Sequence, residues 1–243
     1  MDNNTLVLNL NKISFGYPGS RPVIDDLSLE FARRSRIGLI GPNGSGKTTL
    51  FHIIMGLLKP ISGKIELFGK HVKDEKDFIT ARRKIGLLFQ DADDQLFSPT
   101  VLEDVAFGPL NLGKSKEEAI LTAKKTLNFL GLAGFEDRVT HKLSGGEKKL
   151  VSLATVLSME PEVLLLDEPT NGLDDHTKEK IKTILTGLDI SYILISHEID
   201  FLTSVTDAIY RMENGKILTD DEMHIHEHVH AHPHGLASHN HKQ

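Results

Sequence analysis

The chain has 243 residues, of which 39% are hydrophobic and 26% charged, with 20 glycines and no cysteine. That composition fits an α/β protein with a full core and excludes disorder throughout, disulfides and thiolate metal sites. A net charge of −6, from 28 basic and 34 acidic residues, gives no whole-chain attraction for nucleic acid or anionic lipid.

No apolar run approaches the ~18 residues needed to cross a bilayer. The opening M-D-N-N-T lacks the basic-then-apolar pattern of a secretory signal. A reducing cytoplasm is therefore expected, with any membrane contact made through a protein partner.

From Leu6 to Phe31 two alternating stretches, L-V-L-N-L and L-S-L-E-F, flank the turn-rich F-G-Y-P-G-S-R-P and predict a small antiparallel sheet. Arg36 to Gly41 is a short apolar strand, and Leu50, Ile53, Ile54, Leu57 and Leu58 follow at helical spacing. Between them Gly41-Pro42-Asn43-Gly44-Ser45-Gly46-Lys47-Thr48 matches the phosphate-loop pattern G-x-x-x-x-G-K-[ST] in its required strand–loop–helix context. The glycines free backbone N–H groups to curl around phosphate oxygens, and the helix N-terminus adds its positive end. Lys47 reaches the outer phosphates, and the Thr48 hydroxyl is suited to Mg²⁺. A glycine-rich turn before a helix explains neither Lys47 nor Thr48.

Ile85–Phe89, Val163–Leu166 and Tyr192–Ile195 read as buried parallel strands of a doubly wound core, each ending in polar residues. Between the first two lies a helix-rich lobe, about residues 91–160, where Ser115 and Glu118 make a capping box and Ile120, Ala123, Leu127 and Leu130 mark one face. Leu143-Ser144-Gly145-Gly146-Glu147 opens a further helix with an apolar face of Leu150, Leu153, Ala154 and Leu157. Ser144 and Glu147 are compatible with a simple capping box. Two adjacent glycines at a helix start nevertheless cost ~2 kcal/mol relative to alanines, which points to a group approaching the backbone closely. A last helix carries Ile181, Ile184, Leu185 and Leu188. Residues 221–243 form a separate, histidine-rich tail, expected to be disordered. In it His224, His226, His228, His230, His232 and His234 alternate strictly, a donor set suited to Ni²⁺, Co²⁺, Cu²⁺ or Zn²⁺ rather than Mg²⁺.

Walker A, Gln90 after the next core strand, L-S-G-G-E, the strand V-L-L-L ending in Asp167-Glu168, N-G-L-D and His197 after the last strand occur in one order. In that order they resemble the ATP-binding cassette family from Leu6 to about Thr219. The resemblance implies a phosphate-loop NTPase fold with a RecA-like core, an N-terminal antiparallel β-subdomain and an inserted α-helical subdomain, the whole nucleotide-binding domain spanning about 1–220. It implies ATP and Mg²⁺, with Asp167 and Gln90 joining Thr48 around the metal, Glu168 as general base and His197 sensing the γ-phosphate. Tyr17 matches the aromatic position stacked on adenine, and Thr49 extends the phosphate cradle. Ser144, Gly145, Gly146 and Glu147 would face the γ-phosphate bound by a second subunit, with Asp174 in the loop that touches it. A homodimer, or a pair with a related ATPase subunit, is then the working unit.

The stretch D-D-Q-L-F-S-P-T-V followed by E-D-V-A-F-G-P is similar to the ATPases of energy-coupling-factor importers, particularly the cobalt/nickel branch. This implies integral membrane subunits as partners and a peripheral place on the cytoplasmic face of the cell membrane. A phosphate-loop GTPase acting as a nickel metallochaperone would need a downstream N-K-x-D, but the one Asn-Lys pair is Asn11-Lys12, upstream of the loop. A cassette ATPase acting on nucleic acid would show long coiled coils or a basic excess, and neither occurs. The departures from the family pattern are Glu147, where glutamine is frequent, and Leu150, where arginine is frequent.

Overall fold

The computed structural model describes residues 5–218 of the chain, so the histidine tail, with His224 to His234, lies outside the described residues. As the alternation predicts, β1 (Leu6–Phe15) pairs antiparallel with β2 (Ile24–Ala32), burying Leu10, Ile13, Ile24, Leu27 and Phe31. Next come β3 (Arg36–Ile40) and α1 (Lys47–Ile54). The helix is shorter than its apolar spacing predicts. At Gly56, which adopts φ +69°, a Cβ would lie 2.3 Å from the Phe78 ring, so the chain leaves the helix there and Leu57 is exposed. Phe78 comes from α2 (Glu75–Arg82), an element with no clear apolar stripe in the sequence.

The antiparallel sheet is also larger than predicted, because β4 (Ser62–Leu67) and β5 (Lys70–Val72) extend it to the order β2-β1-β4-β5. The second sheet adds β6 (Ile85–Leu88), β7 (Val163–Asp167), β8 (Ser191–Ile195), β9 (Ala208–Glu213) and β10 (Lys216–Leu218) to β3, in the order β10-β9-β3-β8-β7-β6. All its pairings are parallel except that of β10 with β9.

β7 and β8 are buried at every position, as expected of strands covered on both faces. Their alternate side chains serve two different cores. Val163, Leu165, Ile193 and Ile195 pack with the antiparallel sheet and α1. Leu164, Leu166, Tyr192 and Leu194 pack with the helices of the opposite face.

The inserted segment contains α3 (Val101–Asn111), α4 (Lys116–Phe129) and α5 (Gly145–Leu157). Ser115 and Glu118 do form the predicted capping box. The buried face of α4 is Ala119, Ala123 and Leu127, continued by Leu130, with Ile120 only half-buried. In α5, Val151 and Val156 are buried besides Leu150, Leu153 and Ala154, whereas Leu157 is half-buried. The helix is wedged against β6 so closely that a Cβ on Gly86 would meet Val156 at 2.3 Å. Finally α6 (Asp175–Gly187) buries Ile181, Ile184 and Leu185 and ends before Leu188, and α7 (Ile199–Val205) leads to the sheet's last strands. Among the described residues no helix is long and apolar enough to cross a membrane.

Candidate active site

Four parallel strands, β3, β6, β7 and β8, end on the same edge of the sheet, where open α/β sheets place their ligands. There they deliver the phosphate loop, Gln90, the Asp167-Glu168 pair and His197 to one cleft of about 530 Å³. Tyr17 and Thr49 line the same cleft, beside Asn43, Gly44, Gly46, Lys47 and Thr48 of the loop. Residues scattered from position 17 to 197 therefore converge on one cleft.

The loop is built by its glycines. Gly46 adopts φ +103° as the N-cap of α1, and a Cβ on Gly41 would lie 2.1 Å from the Met212 carbonyl oxygen. Gly41 and Pro42 turn inward, and their carbonyls accept from the Lys47 ammonium at 2.7 and 3.1 Å. Burial pulls the Lys47 ammonium below its ordinary value, opposed by the negative charges of Glu168 and Asp167. Ser45 Oγ is buried with no hydrogen-bond partner. A buried hydroxyl left unpaired costs about 1–3 kcal/mol, a cost that a phosphate oxygen would relieve.

Thr48 Oγ1 donates to Asp167 Oδ2 at 2.7 Å. Burial pushes the Asp167 carboxyl up from its usual range, against the Thr48 hydrogen bond and the His52 and Lys47 charges. These hard oxygens, with the Gln90 amide beside them, suit the octahedral oxygen shell of Mg²⁺.

Glu168 follows the strand in a left-handed conformation, φ +46°, its N–H bonded to the Ile195 carbonyl at 3.0 Å. A non-glycine residue there stores about 1–3 kcal/mol of strain. His197 Nε2 comes within 3.4 Å of Glu168 Oε1 without hydrogen-bond alignment, so that buried oxygen has no partner. Burial is the main cause that raises the Glu168 carboxyl above its ordinary value. The result is an under-solvated carboxylate at the lining of the cleft with one oxygen unpaired, the equipment of a general base.

Tyr17 is 44% exposed at the mouth of the cleft, its ring edge-on to Phe15 at 5.0 Å and its hydroxyl 3.4 Å from Thr49 Oγ1. Tyr17 is thus partly open at the cleft, while its contacts with Phe15 and Thr49 also match an aromatic packed in a turn.

The signature residues do not join this cleft in the single chain. Ser144 caps α5 in a capping box, Ser144 Oγ accepting from Glu147 N at 3.3 Å and Glu147 Oε2 from Ser144 N at 2.8 Å. The two glycines have different reasons. A Cβ on Gly146 would crowd Thr177 Oγ1 at 3.1 Å, an internal constraint, whereas one on Gly145 would meet nothing within 4 Å among the described residues. Only Gly145 retains the argument for an external approach. The Glu147 carboxylate also takes two bonds from Arg138, at 2.7 and 3.2 Å, and this pairing holds it below the usual carboxylate range. Asp174, expected at a subunit contact, caps α6 by accepting from Thr177 N and Oγ1 at 2.9 and 2.8 Å.

Sequence reasoning singled out N-G-L-D but gave no role to its Asn171, which borders both this cleft and the adjoining one beside α5. It missed Lys149, buried in α5 and bonded to the Phe89 and Gln90 carbonyls. Lysine inside an amphipathic helix gives no such signal.

A family model described as ABC transporter matches residues 24–171, more than half of the chain. A "Putative ABC transporter ATP-binding protein" of Nitratidesulfovibrio vulgaris is 51% identical over 97% of this chain and 86% of its own length. The "Energy-coupling factor transporter ATP-binding protein EcfA" of Methanothermobacter thermautotrophicus is 40% identical over 88% of this chain and 70% of its own. The "Cobalt import ATP-binding protein CbiO" of Rhodobacter capsulatus is 40% identical, the shares being 89% and 79%. Among solved structures, CbiO1 of Clostridium perfringens, described as part of the ABC transporter complex CbiONQ, superposes with a TM-score of 0.79 at 35% identity, covering 88% of this chain and 87% of that one. With phosphate loop, carboxylate pair and sheet order all in place, the chain belongs to the ABC transporter family, as one of its ATP-binding, ATP-hydrolysing members.

Proposed function

We propose that this ATPase powers an energy-coupling-factor importer that takes up a transition-metal ion, cobalt or nickel. The observation that carries this reading is the segment from Asp93 to Pro109, whose sequence is similar to that importer class and which presents an exposed aromatic pair. Phe97 and Phe107 are 67% and 46% exposed and meet edge-to-face at 4.8 Å. Buried Asp104 holds the turn beneath them by accepting from Phe97 N at 3.2 Å and Ser98 N at 2.9 Å. An apolar patch on a fixed turn suits a helix of a membrane subunit. The relatives named EcfA and CbiO support the same reading.

Two ATPase subunits, identical or related, form the working unit, on the cytoplasmic face of the membrane. ATP lies in the cleft with its adenine on Tyr17 and its phosphates in the cradle from Gly41 to Thr49. Ser144, Gly145, Gly146 and Glu147 of the second subunit close over the γ-phosphate. Thr48, Gln90 and Asp167 hold Mg²⁺, which neutralises phosphate charge. Glu168 accepts a proton from the attacking water as its oxygen bonds to the γ-phosphorus and the bond to ADP breaks, while His197 orients that water. Loss of the bridging phosphate loosens the pair, and the motion passes to the membrane subunits. The alternating imidazoles from His224 to His234 bind Ni²⁺ or Co²⁺ as a local buffer.

Uptake of labelled Co²⁺ and Ni²⁺ by cells carrying this ATPase and its membrane subunits tests the reading. Uptake of one metal by the wild type and its loss in Lys47→Ala is expected. Uptake of neither, with ATP still hydrolysed, would refute the cargo.

A further inference from the structure

The segment that carries Gln90 leaves β6 and is gripped along its length by one helix, α5. Lys149 is 4% exposed, and its ammonium donates to the Gln90 carbonyl at 2.6 Å and the Phe89 carbonyl at 3.2 Å. One residue earlier in α5, Lys148 Nζ lies 2.5 Å from Asp93 Oδ1. The Gln95 amide completes the grip. Its Oε1 accepts from Phe89 N at 3.2 Å, while its Nε2 donates to Ser152 O at 2.9 Å and Thr155 Oγ1 at 2.7 Å, both in α5.

Both backbone ends of this clamp are main-chain groups, so it fixes where the residue sits, whatever its side chain does. Two carbonyls share one desolvated ammonium, and hydrogen bonds to a charged group are stronger than those between neutral groups. Burial lowers the Lys149 ammonium below its ordinary value, but the carboxylates of Asp167, Asp91 and Glu168 oppose this. The Gln90 side chain itself is exposed and borders both clefts, the nucleotide cleft and the one beside α5. A displacement of α5 therefore carries the Gln90 backbone with it.

We propose that Lys149 is a positioning residue, which ties the reach of Gln90 into the phosphate cleft to the position of the helix that begins at Gly145. It acts through Gln90 and touches neither ATP nor the metal. When a second subunit binds against the tip of α5, the lysine transmits the shift to the opposite end of the same chain's cleft. This rests on the reading of Gln90 as a Mg²⁺ group.

A double-mutant cycle on the full-length chain tests the inference, with Lys149→Met, Gln90→Ala and the pair, and Lys149→Arg as the conservative variant. The readouts are kcat, the Mg²⁺ concentration giving half-maximal turnover, and the affinity for ATP without Mg²⁺. Lys149→Met should lower kcat at least roughly tenfold and raise the half-maximal Mg²⁺ severalfold, with ATP affinity changed by less than about twofold. Lys149→Arg should recover most of the loss, and in the Gln90→Ala background Lys149→Met should add almost nothing.

Additive losses, or an equal fall in ATP affinity, would overturn the positioning role. If Gln90→Ala alone leaves the Mg²⁺ dependence unchanged, the Gln90 reading fails first and the Lys149 inference falls with it. If Lys149→Met does not fold, Lys149→Gln takes its place in both backgrounds, and additive losses there refute the coupling.

Discussion

At the scale of single residues, the site is governed by groups held away from water. Glu168 sits at the end of a buried strand with one oxygen unpaired, and burial raises its carboxyl. Replacing it by glutamine keeps the shape but removes the proton acceptor. Glu168→Gln should bind ATP with near wild-type affinity and lose turnover by roughly 10²–10⁴-fold, accumulating a closed dimer on size exclusion with ATP. Rapid hydrolysis by the variant would dismiss Glu168 as the base. The sign of the pH effect follows from the direction of the shift. Glu168 must be ionised to accept a proton, and its folded-state value is raised, so kcat should fall as pH drops through a value above the ordinary carboxylate range. A pH–rate profile with its acid limb at the position of an unperturbed glutamate would contradict this.

At the scale of elements, α5 separates capping from recognition. Ser144 and Glu147 cap each other, Glu147 also pairs with Arg138, and Gly146 is constrained by Thr177, but nothing among the described residues requires glycine at 145. Gly145→Ala should therefore leave the melting temperature unchanged or raise it, alanine being favoured in a helix by up to about 1 kcal/mol. ATPase activity should nevertheless fall at least roughly tenfold, or about 1.4 kcal/mol, because the methyl group occupies the path of the incoming phosphate. Calorimetry and steady-state hydrolysis together check it, and unaltered hydrolysis would leave the glycine without a functional reason.

The strands β3, β6, β7 and β8 and the loops at their ends were legible because apolar runs stopped abruptly at polar motifs. The elements β4, β5, α2, β9 and β10 were not. They are short or exposed on one side, and α2 carries E-K-D-F-I-T-A-R, with only Ala81 buried. The overlong reading of α1 failed for a related reason, since periodicity cannot register that Gly56 makes room for the Phe78 ring. In the site, Lys47, Thr48, Gln90, Asp167, Glu168 and His197, all named from motif order, line one cleft. Motif order could not reveal Lys149, whose contacts are with main-chain carbonyls and leave no trace in residue type.

For the whole molecule, the described cleft is lined by residues from Tyr17 to His197, and the histidine-rich tail lies outside the described residues. Removing residues 221–243 should leave basal ATP hydrolysis intact and reduce the Ni²⁺ or Co²⁺ bound per chain by calorimetry. Unchanged metal binding would discard the tail as a metal site. The interleaving of β7 and β8 has a mechanical corollary. Each strand lends every second side chain to each of two apolar interiors, so neither interior can melt without stripping a neighbour from the other. Amide protons of Leu164 to Leu166 should then be among the slowest to exchange with deuterium, escaping only when the entire chain unravels. The acidic pair is thereby bolted to the least yielding part of the protein.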